Sequence, residues 1–396
     1  MARILYVFTG GRRARFLAAR AGQEAPLEFL FGATYLQARG HDVDILELSD
    51  LSPDQTSPAY TQLARQNTKI QQATLFTSTS HFFVDAVHTF NQYDAIIVGP
   101  ESIGLGISHF ILNGTVRPPM FVMAMGMLLY TQSRVSAEPL RARVKDIARE
   151  FYYRFAFGRY RKRRRIYRHL LEASRGMLYF ERSETEIARR MFPEFAEKMH
   201  FSVSCIDTDF WRPSLATNGT GTRSDVILFM GSARGRDFGL ILDIARHLPH
   251  FRFVFVTHRI RQEQVSPNVT LKRGDWKTNL ISDVEIRRIV QDSALVVLPF
   301  KPGDLHSLTS VALQAMACGK PVLVSKTSAI WEPEFIDRQH VWFVHSGTLS
   351  EWCESIETLM RDSVTREQIG AHARRLVEQQ NNLTVLGSTV EALIKQ

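Results

Sequence analysis

The stretch over residues 298–325, LPFKPGDLHSLTSVALQAMACGKPVLVS, most constrains what this chain can fold into. The run ALVVLPF over residues 294–300 is apolar without interruption. That is the pattern of a parallel strand buried on both faces. KPGDLHS follows as a polar loop with a Pro-Gly turn signal. Ser307, Thr309 or Ser310 can cap a helix running through Ala317, and Gly319 closes it before PVLVS opens the next strand. Such a unit turns free backbone N–H groups and the positive end of a helix dipole toward the C-terminal edge of a sheet, where phosphates bind.

The same alternation runs through the rest of the chain. ARILYVF, HDVDILEL, YDAIIVG and RPPMFVMAMG read as strands of a first half; DVILFMGSA, FRFVFVTHR and NVTLKRG precede the key stretch in a second. The helical segments between them include PLEFLFGATYLQARG over residues 26–40, in which Glu28 favours the helix dipole, and residues 81–91. SDVEIRRIVQDS is a helix capped by Ser282 with Glu285 three positions on. The order is that of an α/β protein with parallel, doubly wound sheets. SLATNGTGTRS, small and polar, is the expected linker at 214–224. It separates a domain over 1–213 from one over 225–375, with a closing helix over 376–396.

A length of 396 residues suits two to three domains. The longest apolar stretch, over residues 120–130, is too short to span a bilayer. The start MARILYVFTGG reads as a strand rather than a signal peptide. Cys205, Cys318 and Cys353 lie far apart without a CxxC, which argues against a disulfide frame or a zinc site. A cytoplasmic location is expected, with a peripheral position at the inner face of the membrane as its extension. A net charge of +9 allows an acidic partner: nucleotide phosphate, anionic lipid or nucleic acid. The block RYRKRRR, Arg159 to Arg165, is flanked by Tyr152, Tyr153, Phe155 and Phe157 and contains Tyr160. It reads as a solvated face or as an attachment to an anionic membrane. No nucleic-acid module surrounds it, so nucleic acid is the least favoured partner.

Four segments together resemble the GT-B glycosyltransferases, and are similar to glycosyltransferase family 4, the group 1 glycosyl transferases. QAMACGKPVLVS resembles the family's EAMACGKPVVA, VILFMGS its opening strand of the second domain, CIDTDFWRP its hinge, and AHARRLVEQQ its closing helices. The resemblance implies two Rossmann-like domains facing across a cleft. It implies a nucleotide-sugar on the second domain and an acceptor on the first. It also implies a retaining transfer that needs no metal and no cofactor beyond the donor itself.

Without a metal, cations and helix N-termini must hold the leaving diphosphate. The family's two carboxylates, one toward the donor sugar and one toward the ribose, fall at His306 and Gln314 here, so both are replaced. Gln314 can still hydrogen-bond ribose hydroxyls, and His306 can contact a sugar hydroxyl or a phosphate. The backbone N–H groups of Ser307, Leu308, Thr309 and Ser310 are candidate phosphate binders. In GSARGRDFG, Gly231 and Ser232 open the second domain's loop. Arg236 takes the family's phosphate-binding Lys role and Arg234 stands as its deputy. Gly10 and Gly11 after the first strand form a close-approach loop; Gly104 and Gly106 form a second, with His109 a turn further on. Each of these also has a plain reading as a loop arginine, a loop histidine or a turn glycine. The strings Asp42–Asp44 and Asp207–Asp209 read as structural rather than metal-binding. Function thus reads as transfer of a sugar, hexosyltransferase-like, from a nucleotide-sugar to a lipid-linked or glycan acceptor. The alternatives are a non-catalytic nucleotide-sugar or glycan-binding protein and a basic scaffold that retains the fold.

Overall fold

A computed structural model of the chain describes residues 1–131, 157–214, 225–233, 235–274, 281–301, 309–327 and 335–396. The chain divides into two units. The first holds Met1–Arg13, Gly32–Ser202 and Gly387–Gln396; the second holds Ala14–Phe31 and Val203–Leu386.

The strands of the first unit are β1 (Arg3–Phe8), β2 (Asp42–Glu47), β3 (Ala95–Gly99), β4 (Met120–Met123), β5 (Ser174–Tyr179) and β6 (Met199–Phe201). Those of the second are β7 (Val226–Met230), β8 (Arg252–Val256), β9 (Val269–Lys272), β10 (Leu295–Leu298), β11 (Val322–Ser325) and β12 (Trp342–Val344). The helices in chain order begin with α1 (Arg13–Arg20), α2 (Ala33–Ala38), α3 (Pro58–Thr74), α4 (Glu101–Leu112), α5 (Phe157–Ala173) and α6 (Arg182–Met191). They continue as α7 (Phe238–His247), α8 (Asp283–Gln291), α9 (Thr309–Ala317), α10 (Leu349–Arg361), α11 (Ser363–Gln380) and α12 (Leu383–Ile394). No described helix is long and apolar enough to cross a membrane.

Each unit carries one six-stranded sheet, in the orders β2-β1-β3-β4-β5-β6 and β12-β11-β10-β7-β8-β9. Every pairing in both is parallel. The uninterrupted apolar runs explain this. β3, β4, β10 and β11 are buried at every position, as strands covered by helices on both faces must be. In both sheets the strand order reverses once, between β1 and β3 and between β7 and β10. At each reversal the following helices leave to opposite faces, and a crevice opens beyond the strands' C-terminal ends.

The turn after α9 is fixed by backbone. Cys318, Gly319 and Lys320 donate to the carbonyls of Gln314, Met316 and Ala315 at 3.0, 2.9 and 2.9 Å. Gly319 supplies the left-handed residue, at φ 69°. α11 packs on this turn through Gly370, where an added Cβ would meet the Gly319 carbonyl oxygen far inside van der Waals contact. Four residues on, the Arg374 guanidinium donates to the carbonyls of Ala317, Trp211 and Thr208 at 2.6, 2.7 and 3.1 Å.

Four sequence expectations change. The helix expected over 26–40 is broken. A short 3₁₀ turn, Glu28–Leu30, is followed by Phe31 and Gly32 at φ 48° and 82°, and only then by α2. The break is where the chain passes between the units, which apolar spacing alone does not reveal. Residues 81–91 form two 3₁₀ turns, Ser80–Phe83 and Val87–Gln92, rather than a helix. Gly104 and Gly106 lie inside α4, not in a loop. A Cβ at Gly104 would come 2.8 Å from Leu170 Cδ1, and one at Gly106 2.5 Å from Thr79 Oγ1, so both glycines make room for packing. The expected boundary at residue 213 also differs from the division seen. Ile206 donates to the Asn381 carbonyl at 2.7 Å and Arg374 holds Thr208 and Trp211, which places Val203 onward in the second unit. Most of the expected linker, residues 215–224, lies outside the described residues.

Candidate functional site

The reversal in the second sheet brings together the C-terminal ends of β7 and β10. Beyond β7, Gly231 stands at φ 129° and donates to the Val256 carbonyl at 3.1 Å. Ser232 Oγ lies 3.1 Å from Thr257 Oγ1, and the Ser232 carbonyl accepts from Arg259 Nε at 3.1 Å. The loop then folds back along the segment after β10. Lys301 N donates to the Gly235 carbonyl at 2.9 Å and Asp237 N to the Pro299 carbonyl at 2.9 Å. Asp237 next caps α7, accepting from Leu240 N at 3.0 Å. These bonds leave Arg236 opposite Phe300. Its guanidinium stacks on the Phe300 ring at 4.5 Å and its Nε would lie 3.0 Å from a Cβ at Gly231. Arg236 is 1% exposed. A guanidinium cannot give up its proton in a protein, so this is a fixed positive charge at the sheet's reversal point. The glycine is what admits it.

Of the other residues singled out in the sequence, Ser310 is exposed in the first turn of α9, and Gln314 is buried further along the same helix. The backbone of Thr309 begins α9. Arg234, His306, Ser307 and Leu308 lie outside the described residues. In the first unit, Gly10 and Gly11 follow β1 at that sheet's own reversal point, at φ 153° and 78°, and a Cβ at Gly10 would meet nothing within 4 Å. His109 is exposed in the last turn of α4, edge-on to Phe110. Asp207 is structural, as expected. Its carboxylate accepts from Asp209 and Phe210 N–H at 3.1 and 2.9 Å and from Leu27 N–H at 3.1 Å.

Several buried acids escaped the sequence reading. Glu28 does not serve a helix dipole. Its carboxyl is 6% exposed and its Oε1 accepts from Trp211 Nε1 at 2.8 Å. Burial pushes its pKa up to about 8, against the lowering effect of the Trp211 bond. Glu47 receives the backbone N–H groups of Arg12 and Arg13 at 2.5 and 2.9 Å, so it anchors the end of the Gly10–Gly11 loop. Glu101 opens α4 and accepts from Met127 N at 2.9 Å; Glu184 in α6 takes the Leu128 N–H. Burial raises the pKa of both carboxyls, and the nearby Glu101 raises that of Glu184 further. Enclosure of this kind disfavours the charged form of each. They hold the loop after β4 through two successive N–H groups, and the phenols of Tyr167 and Tyr179, 3.0 Å apart, lie near enough to feel their charge. No local pattern marks such acids, because their partners are far away in sequence.

The basic block falls on α5. Arg163 Nε donates to the Thr74 carbonyl at 2.7 Å and Arg164 Nη2 to the Met191 carbonyl at 2.8 Å. Arg159, Arg161, Lys162 and Arg165 are exposed. The aromatic residues Tyr152, Tyr153 and Phe155 lie outside the described residues, as does the side chain of Phe157.

Two parallel, reversal-bearing sheets of this kind define the GT-B fold. Solved GT-B structures superpose along the whole chain. Alr3699/HepE of Anabaena, in complex with UDP and glucose, gives a TM-score of 0.65 at 13% identity, covering 100% of both chains. Sucrose-phosphate synthase of Thermosynechococcus elongatus gives 0.62 at 14% identity, covering 100% of this chain and 99% of that one. WaaG, a glycosyltransferase involved in lipopolysaccharide biosynthesis, gives 0.58 at 14% identity, covering 98% and 99%. No curated protein sequence matches. Residues 224–362 match the model of the glycosyl transferases, group 1. The chain has the GT-B fold, and the family match lies within its second unit.

Proposed function

We propose that the protein is a retaining, metal-independent glycosyltransferase that takes a sugar from a nucleotide-sugar. The observation that carries this reading is Arg236, a fixed cation at the β7–β10 reversal point within the segment that matches the group 1 family. Gly231 and Ser232 shape the loop around it, and the backbone N–H groups at the start of α9 supply the dipole end that a diphosphate requires. Arg236 offers the leaving diphosphate a planar fork of donors. His306 at the donor sugar, Gln314 at the ribose, and Gly10, Gly11 and His109 toward an acceptor complete the assignment.

Because HepE is described in complexes with UDP and with UDP-glucose, uridine nucleotides are the first to test. A ligand that binds only the folded protein stabilises it by about 2.7 kcal/mol at a hundred times its Kd. Thermal unfolding with a panel of nucleoside diphosphates and nucleotide-sugars should therefore show an upward shift for at least one. No shift with any of them rejects the reading. The second reading, a binder without transfer, is motivated by His306 and Gln314 standing at the family's carboxylate positions. Release of free sugar or transfer from a stabilising nucleotide-sugar, above an enzyme-free control, eliminates it.

The acceptor is proposed to be lipid-linked, with the exposed side chains of Arg159, Arg161, Lys162 and Arg165 resting on an anionic surface. Each contributes about 1 kcal/mol near such a surface. Sedimentation with phosphatidylglycerol vesicles should show binding that weakens as salt rises. Absence of binding at low salt removes the membrane role.

A further inference from the structure

Gln314 is 7% exposed, and a buried amide needs partners at both of its ends. Residues 14–31 supply a neighbour. Leu27 N–H is tied to the Asp207 carboxylate at 3.1 Å, and the next residue, Glu28, turns its carboxyl inward. Trp211 Nε1 fixes Glu28 Oε1 at 2.8 Å. Gln314 stands beside the same carboxyl, near enough to lower its pKa. Glu28 Oε2 is fully buried, and no hydrogen bond reaches it among the described residues. A carboxyl with one oxygen clamped and the other open toward an amide can orient that amide.

We propose that Glu28 is a positioning residue of the donor site: its open oxygen sets which end of the Gln314 amide faces a bound nucleoside diphosphate. The inference rests on the donor-site reading above. With Glu28 protonated, Oε2–H donates to Gln314 Oε1 and the amide NH₂ is left for the ligand. With Glu28 ionised, Oε2 accepts from Gln314 Nε2, and the amide carbonyl is presented instead. Burial places the change at a pKa of about 8. The first arrangement is therefore complete at lower pH and is lost as pH rises through that value. The charged group facing Glu28 is Asp207, which raises its pKa further. Two cations approach the same segment and are committed elsewhere. Arg287 of α8 donates to the Phe210 carbonyl and pairs with Glu24 at 2.8 Å, and Arg374 of α11 donates to three carbonyls.

The experiment is calorimetric titration of the full chain with UDP, ADP and GDP on both sides of pH about 8. The wild type should show an affinity that changes across this range. E28Q, neutral at every pH and similar in shape, should keep its affinity to within a few-fold and lose that change. E28A should bind about tenfold more weakly, the loss of one net hydrogen bond to the ligand. Unfolding midpoints identify any variant that does not fold, and W211F, which unclamps Oε1, then gives the second reading of the same effect. A wild type that binds no nucleoside diphosphate overturns the donor-site reading and this inference with it. A wild type that binds, with E28A and E28Q matching its affinity and its pH profile, overturns this inference alone.

Discussion

Replacing Arg236 by Ala is expected to weaken nucleoside diphosphate binding on the order of 10- to 100-fold, the loss of one or two hydrogen bonds to a charged group. The side chain is 1% exposed and stacked on Phe300 at 4.5 Å, so the same change also opens a void beside Gly231. Affinity and stability must therefore be measured separately. Arg236→Lys keeps the charge and loses the fork, and should fall between the wild type and Arg236→Ala in affinity. Titration with UDP decides the matter. An R236A protein that is folded and binds as tightly as the wild type removes Arg236 from the site.

The second large effect concerns Gly370. Its replacement by Ala forces a Cβ onto the Gly319 carbonyl, and neither side can yield cheaply. The oxygen belongs to the backbone of the turn that closes α9, and Gly370 is held within α11. Overpacking of this kind costs about 3 kcal/mol. The unfolding midpoint of the second unit should fall by about 10 °C. That turn holds the C-terminal end of α9, the helix whose start follows the β10 loop, so nucleotide affinity should fall with it. Gly347→Ala serves as the control, because that site is open, with nothing within 4 Å of an added Cβ, although its φ of 65° adds some strain. Equal midpoints for G370A and the wild type would show that α11 and the turn are not in contact.

Much of the fold was legible because parallel strands covered on both faces write themselves as unbroken apolar runs. AIIVG and LVVL could be little else, and the glycine of the CGKP turn is at φ 69° as its role requires. The site was legible only where local chemistry marks it. Arg236 follows a strand-ending glycine, and the family resemblance singled it out there as a candidate. Glu28 showed no such signal. It looked like an acid at a helix start, and its partner Trp211 is 183 residues away. Gly104 and Gly106 looked like a loop because glycine lowers helix propensity, yet contacts with Leu170 and Thr79 select a residue without a side chain there. The helix expected over 26–40 had the right periodicity, and the passage between units at Phe31–Gly32 overrode it. Glu101 and Glu184 were invisible for the same reason as Glu28, since burial depends on what arrives from elsewhere.

The chain passes between its two units at residues 13–14, 31–32, 202–203 and 386–387. Neither unit is therefore a continuous stretch of synthesis. The second needs residues 14–31, made early, to give Arg15 for Asp283 and Glu24 for Arg287 at 2.8 Å each. The first waits for α12, made after both sheets, whose Gly387 and Leu393 lie against Tyr35 and Gly176. A ribosome that has just finished the first sheet holds an uncapped one. Each half draws on segments from both sides of the apparent linker, and a cut there would leave two incomplete halves rather than two domains.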